Sequence, residues 1–464
     1  MSVRAEHHLR SAAARALDAA TRRGRRQWAA VRVALPRRVA PLALGEAADR
    51  FYWERPGEGR CLVAAGCAQA LEGEGPKRFP QLAEGARALY RDLHLAGDAA
   101  PASAGPLLVG GFGFSEDSPS SPEWADFSAA RLVLPTRMRV STPDGNWCSV
   151  SCAVNADDSA ETVRTRLGEE LALCLDERSA APVDPDSQIG EYHARSERSH
   201  ADYEQRVEAA LEEIAAGEIE KVVVARSLRL RQPRSWHLAP LLEALRGAHP
   251  SCTIFALGRN EANFLGASPE LLVRLAGRRL ESAALAGSAP RGRSPEEDDR
   301  LGRVLLESKK DQAEHAVVVR ALRESLERCC DELEIPEAPR LRKLEGIHHL
   351  ETPVEGQLDE PRHVLEVAGS LHPTAAVAGA PRASALRWLR EHEGLERGWY
   401  AGAVGVVDAQ GDGEFCTALR SALLRGGEAK LFAGAGIVAG SKPEAELRET
   451  RLKLRALLDL LLEL

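Results

Sequence analysis

The chain has 464 residues, 44% of them hydrophobic and 28% charged, enough to bury a large core. A formal net charge of −8 argues against a general nucleic-acid-binding role and otherwise favours solubility. Nine scattered cysteines without CxxC spacing exclude a disulfide framework and a zinc pattern, and reduced thiols fit a cytoplasmic protein.

No apolar run approaches the length of a membrane span, and no secretory signal opens the chain. The first forty residues carry ten arginines, from Arg4 to Arg38, against two acids, Glu6 and Asp18. That composition is transit-peptide-like, but the segment reads as a surface helix entering a first strand near Trp28–Leu35. Strands follow at Cys61–Ala64, Leu107–Gly110, Ala130–Leu134 and Arg137–Val140, with helices over Gln81–Leu95 and Ala160–Cys174. Ser179–Ser187 is the best linker candidate, being rich in Pro, Ser and Asp. It divides the chain into 1–186 and 187–464, two parts that share one core.

Beyond it, Val207, Leu211 and Ile214 give Ser199–Ala216 a helical period, and Gly217 can close that helix in a left-handed cap. A β-branched strand runs over Lys221–Leu230. A helix at Leu238–Arg246 and strands around Thr253–Leu257 and Glu270–Leu275 come next. Ser294, Pro295 and Glu296 start the longest predicted helix, which runs towards Cys329. The last helix begins near Pro443. Strands and helices mix without regular βαβ alternation, so the expected class is α+β.

The candidate chemistry lies in the second part. Glu314 sits on the long helix; Glu446 and Glu449 share one face of the last helix, with Lys453 four residues on. Oxygen-only ligands of this kind suit magnesium, although on spacing alone helix carboxylates are more often solvated and Glu449–Lys453 reads equally as a surface ion pair. Leu285–Gly292 and Phe432–Val438 read as glycine-rich turns that let backbone approach a ligand. Lys221 heads an apolar strand, where desolvation would make it a usable base, or where it could simply reach out to water. Glu270 is a general acid or an exposed turn residue.

In order, the segments IEKVVVARS (219–227), FLGASPELL (264–272), ALAGSAPRG (284–292), ESKKDQAEH (307–315), HHLETPVEGQL (348–358), SLHPTAAVAG (370–379), RGWYAGAVG (397–405), FCTALRSALL (415–424), FAGAGIV (432–438) and ELRETRLKL (446–454) resemble the chorismate-utilising enzyme family. That resemblance covers residues 200–464, with PLLVGGFGF (106–114) fitting the family's less distinctive N-terminal half. It implies large β-sheets packed together with helices outside, as in anthranilate synthase component I. It also implies roles. Glu314 and Glu449 hold Mg2+ on the ring carboxylate of chorismate, with Glu446 beside them. Tyr400, Arg420, Gly434, Gly436 and Lys453 receive the substrate's carboxylates, Gly287 and Ser288 face the ring, and His349 stands over the site. Lys221 is the base that activates water, and Glu270 the acid that protonates the departing hydroxyl.

Members of that family differ in nucleophile. The lysine at 221 disfavours the ammonia-using branch, so no glutaminase partner is expected. ALAGS at 284–288 looks like the water-using branch rather than the PIKGT of aminodeoxychorismate synthases. TAAV at 374–377, with Ala376 where lyases tend to carry a polar residue, points to isochorismate formation for menaquinone or siderophore biosynthesis. Salicylate synthase is the second reading, and a non-catalytic chorismate-binding regulator the third.

Overall fold

A computed structural model describes residues 2–37, 47–176 and 192–463. Two mixed-origin sheets dominate it. The larger has thirteen strands, and its main path runs from His193–Ser196 through Lys221–Arg231, Glu428–Ile437, Ser421–Arg425, Ala262–Ser268 and Thr253–Arg259. It then crosses to Asp49–Arg55 and the other early strands, ending on Leu93–Gly97. The second sheet has ten strands and likewise joins an early strand, Leu108–Phe112, to a late one, Ala403–Val407. Both sheets therefore draw strands from either side of residue 186, and the predicted linker itself lies outside the described residues. Strand pairings are antiparallel except Gln27–Leu35 with Leu93–Gly97, as the α+β expectation requires.

The sheets face each other across an aromatic core in which Trp124, Phe264, Trp399 and Phe432 are buried. Trp124 meets Phe264 edge-on at 5.4 Å, the offset geometry that ring quadrupoles favour. Helices cover the outer faces. Val3–Arg23 and Ala160–Leu175 pack on the early end of the larger sheet, and Leu238–Ala248 and Pro443–Glu463 on its late end. Lys309–Leu326 and Val364–Leu371 lie on the second sheet. The arginine-rich N-terminal helix buries an alanine face (Ala5, Ala12, Ala16, Ala20) with Leu9, leaving its arginines outside. Among the described residues, no helix is long and apolar enough to cross a membrane. None of the nine cysteines, all among the described residues, forms a disulfide.

Several elements depart from the sequence reading. The helix expected over Gln81–Leu95 is Arg78–Arg91; Leu93 and Leu95 belong to an edge strand that pairs with Trp28–Arg32. The long helix expected from Ser294 to Cys329 is two helices, Pro295–Glu307 and Lys309–Leu326. Ser308 separates them: its extended backbone ends one, and its hydroxyl accepts the Asp311 N–H to start the next. This break re-aims the second helix, and Glu314 with it. The two predicted glycine turns are strands, Arg279–Pro290 and Glu428–Ile437. Only Gly287 keeps a turn-like backbone, at φ +77° in a bulge of the first.

Candidate active site

One cavity between the sheets is lined by eleven of the residues singled out from sequence: Glu270, Gly287, Ser288, Glu314, His349, Ala376, Tyr400, Arg420, Gly434, Gly436 and Lys453. Lys221, Glu446 and Glu449 stand behind that lining. Lys221 Nζ lies 3.0 Å from Glu314 Oε1 as an ion pair without hydrogen-bond geometry, and its side chain is fully enclosed. Glu449 Oε1 is 2.7 Å from Lys453 Nζ, so the pair the spacing left ambiguous is partly buried, with Lys453 on the cavity wall. Glu446 Oε1 is 3.1 Å from Lys310 Nζ.

Strand register explains this grouping. Val222 and Val223 pair with Ile437 and Gly436, which brings Lys221 beside the glycine-rich strand. A β-carbon at Gly436 would lie 2.1 Å from Glu314 Oε1 and 2.8 Å from Lys221 Cε, so glycine there makes room for the ion pair. Gly436→Ala is accordingly expected to push Glu314 aside and cut turnover at this site at least about tenfold, with the folded circular-dichroism spectrum retained. Turnover at the wild-type rate would show that the contact is dispensable. Gly434 plays a similar part: its carbonyl accepts from Lys453 Nζ at 2.9 Å, and a β-carbon there would lie 3.2 Å from the Tyr400 hydroxyl.

Arg420 is the strongest anion-binding feature. It is buried, adopts φ +47°, and forms no ion pair among the described residues; Nη1 has no hydrogen-bond partner. A strained backbone at a buried, unpaired guanidinium marks a functional position. Its Nη2 donates to His349 Nε2 at 2.9 Å. His349 Nε2 must then be unprotonated, and Nδ1 carries the hydrogen, 3.1 Å from the Gly287 carbonyl and from Ser288 Oγ. Burial, reinforced by the Arg420 charge, holds His349 well below the usual histidine range, so the imidazole is neutral. It acts as a bracket that aims Arg420, and Gly287 and Ser288 hold the bracket.

Glu270 lies buried after Pro269, with Oε1 accepting from Thr417 Oγ1 at 2.9 Å. Burial pushes its carboxyl up to about 7, against the Thr417 hydrogen bond and the charges of Lys221 and Lys453. Near neutrality, then, a large share of it carries a proton. Tyr400 stacks on Phe432 with ring centroids 5.1 Å apart, and burial raises its phenol, keeping it a neutral donor.

Sequence reasoning missed Thr417 and Lys310. Lys310 was readable from helical spacing, being four residues before Glu314, whereas Thr417 reaches Glu270 only through sheet pairing. Among the described residues, no three or more His, Cys, Asp and Glu side chains come together closely enough to hold a metal ion alone. Glu314, Glu446 and Glu449 gather instead around Lys221, Lys310 and Lys453.

This is a pocket for a small anion: a guanidinium without an ion pair among the described residues, a buried acid, a buried lysine and carboxylates neutralised by lysines, held between two largely antiparallel sheets. The family model for chorismate binding enzymes matches residues 15–462, and the chain belongs to that family. It is 38% identical over 415 residues to the salicylate biosynthesis isochorismate synthase of Pseudomonas aeruginosa, covering 89% of this chain and 84% of that protein. To isochorismate synthase MenF of Bacillus subtilis it is 32% identical over 422 residues, with 89% and 88% covered. The crystal structure of MenF, the menaquinone-specific isochorismate synthase from Escherichia coli, superposes with a TM-score of 0.78 at 26% identity, covering 97% of this chain and 99% of that one.

Proposed function

We propose that the protein is an isochorismate synthase, adding water to chorismate and expelling the ring hydroxyl. The observation that carries this reading is Glu270, a carboxyl held near neutral pH partly in its acid form, in the same cavity as the unpaired Arg420. Arg420, Tyr400 and Lys453 receive the substrate's two carboxylates. Lys221, after losing its ammonium proton to solvent, takes a proton from water as the neutral amine, and the oxygen of that water bonds to the ring carbon next to the carboxylate-bearing carbon. Glu270 gives its proton to the departing hydroxyl. One water enters and one leaves, so the net reaction is an isomerisation.

The donor set fits magnesium, because hard carboxylate oxygens are its preferred ligands and it commonly takes only one or two of them, completing its shell with water and substrate. Glu314 and Glu449 would hold it, with Glu446 acting through water, and when bound it would supply positive charge to the ring carboxylate. With Lys221 activating water as the nucleophile, no ammonia and so no glutaminase partner is required. Nine cysteines without a disulfide suit a cytoplasmic setting. The relatives' names include a menaquinone-specific and a salicylate-biosynthesis enzyme, and the product here would feed a pathway of one of these kinds.

Incubation of the purified chain with chorismate and Mg2+ is expected to yield isochorismate by liquid chromatography, with no pyruvate in a lactate-dehydrogenase-coupled assay. Stoichiometric pyruvate and salicylate would make it a salicylate synthase. Binding of chorismate with no product would make it a regulator. Ala376 lines the cavity with an apolar methyl group at the position where lyases tend to carry a polar residue, which supports the first outcome.

A further inference from the structure

Both oxygens of Glu314 are already taken. Lys221 Nζ is 3.0 Å from Oε1, and Lys310 Nζ is 3.5 Å from Oε2. Lys310 also spans to the other helix, 3.1 Å from Glu446 Oε1, and lies 3.9 Å from Asp311 Oδ1. A divalent ion approaching the Glu314 carboxylate must compete with both ammonium groups for its negative charge. Lys221 has no room to leave, since its side chain is fully enclosed at 0% exposure, whereas that of Lys310 is 26% exposed and has solvent to swing into. We propose that Lys310 is a tethered cation that bridges Glu314 and Glu446 until a divalent metal displaces it, and that it thereby sets the metal affinity of the site. This rests on the magnesium reading above.

The physical logic is charge balance. Glu314, Glu446, Glu449 and Asp311 bring four negative charges, and Lys221, Lys310, Lys453 and Arg420 four positive ones, so the pocket is near neutral without metal or substrate. A metal dication alone would overcharge it, and a dianionic substrate alone would do the reverse. Ion and substrate together restore neutrality, and displacement of Lys310 towards solvent or Asp311 is the movement that admits the ion. Linkage then makes the coupling reciprocal: bound chorismate raises metal affinity by the factor by which metal raises chorismate affinity.

Isothermal titration of Mg2+ into the full chain, without substrate, tests this. Lys310→Met keeps the stem but removes the competing charge, and its Kd for Mg2+ is expected to be roughly tenfold tighter than wild type. Lys310→Arg keeps the charge and the fold and grips two carboxylates with a planar fork, so its Kd is expected to be weaker than wild type. If Lys310 merely contributed background charge, the arginine variant would match wild type, and that result would overturn the proposal. So would a methionine variant that binds Mg2+ no more tightly than wild type. Should wild type and both variants all fail to take up Mg2+ with or without chorismate, the magnesium reading itself falls, and the proposal with it. If Lys310→Met does not fold, the arginine variant decides alone.

Discussion

Lys221→Ala is expected to lower kcat for isochorismate formation by about 10²–10⁴-fold, the usual worth of a positioned proton-transfer group, while chorismate still binds in the presence of Mg2+. The same substitution leaves the Glu314 carboxylate, 5% exposed, without its enclosed partner. Breaking a buried ion pair on one side costs about 3–5 kcal/mol, so thermal melting must accompany the kinetics. Lys221→Arg separates the two effects. A guanidinium keeps a cation beside Glu314 but does not release a proton near neutral pH, so a folded, inactive arginine variant is the expected result. Full turnover in either folded variant would remove Lys221 from the mechanism.

Glu270→Gln should lose activity on a similar scale, about 10²–10⁴-fold, and its signature lies in the pH profile. The reaction needs Glu270 protonated, and burial has raised its carboxyl to about 7. Wild-type kcat/KM is therefore expected to fall as pH rises through about 7, and the residual activity of the glutamine variant to lack that limb. Stability carries the same sign. Between the ordinary glutamate value of 4.5 and about 7, the unfolded chain gives up this proton and the folded one keeps it. The native state binds more protons, so stability declines with pH across that window by up to about 3 kcal/mol from this group. Glu270→Gln should flatten that part of the slope in urea titrations run from pH 4 to 8. A wild-type profile without a limb near neutrality would assign the acid elsewhere.

Much of this was legible before the fold was known. The strand opened by Lys221, the paired acids of the last helix and the α+β class follow from periodicity and composition, and the order of ten motifs carried the family. What could not be read depended on contacts between distant segments. Ser308 is one polar residue inside a helical pattern, and only its backbone conformation turns one predicted helix into two. Leu285–Gly292 and Phe432–Val438 looked like turns because glycine is common there, yet both lie in strands. In the second, glycine serves another segment: Gly436 leaves space for Glu314 and Lys221, a requirement visible only once the helix is docked. His349 was read as a polar group over the site, and its bond to Arg420 gives it a narrower task. The carboxylates read as metal ligands, Glu314, Glu446 and Glu449, each meet a lysine, a pairing that only the docking of the two helices reveals.

The junction between the early and late strands has a consequence for how the protein is made. Glu54 lies opposite Ile254, and Phe51 opposite Leu257, so the larger sheet closes through partners some two hundred residues apart. During synthesis, the early strands leave the ribosome long before their neighbours exist. Their apolar edge, with Phe51 and Trp53, must wait exposed for the later segment. Such long-range closure is slow and invites aggregation in the interval. A shortened chain beginning near residue 187 would keep every residue named in the pocket and still lack the strand that Thr253–Arg259 needs beside it. Its yield as soluble protein should collapse even though its catalytic groups are all present.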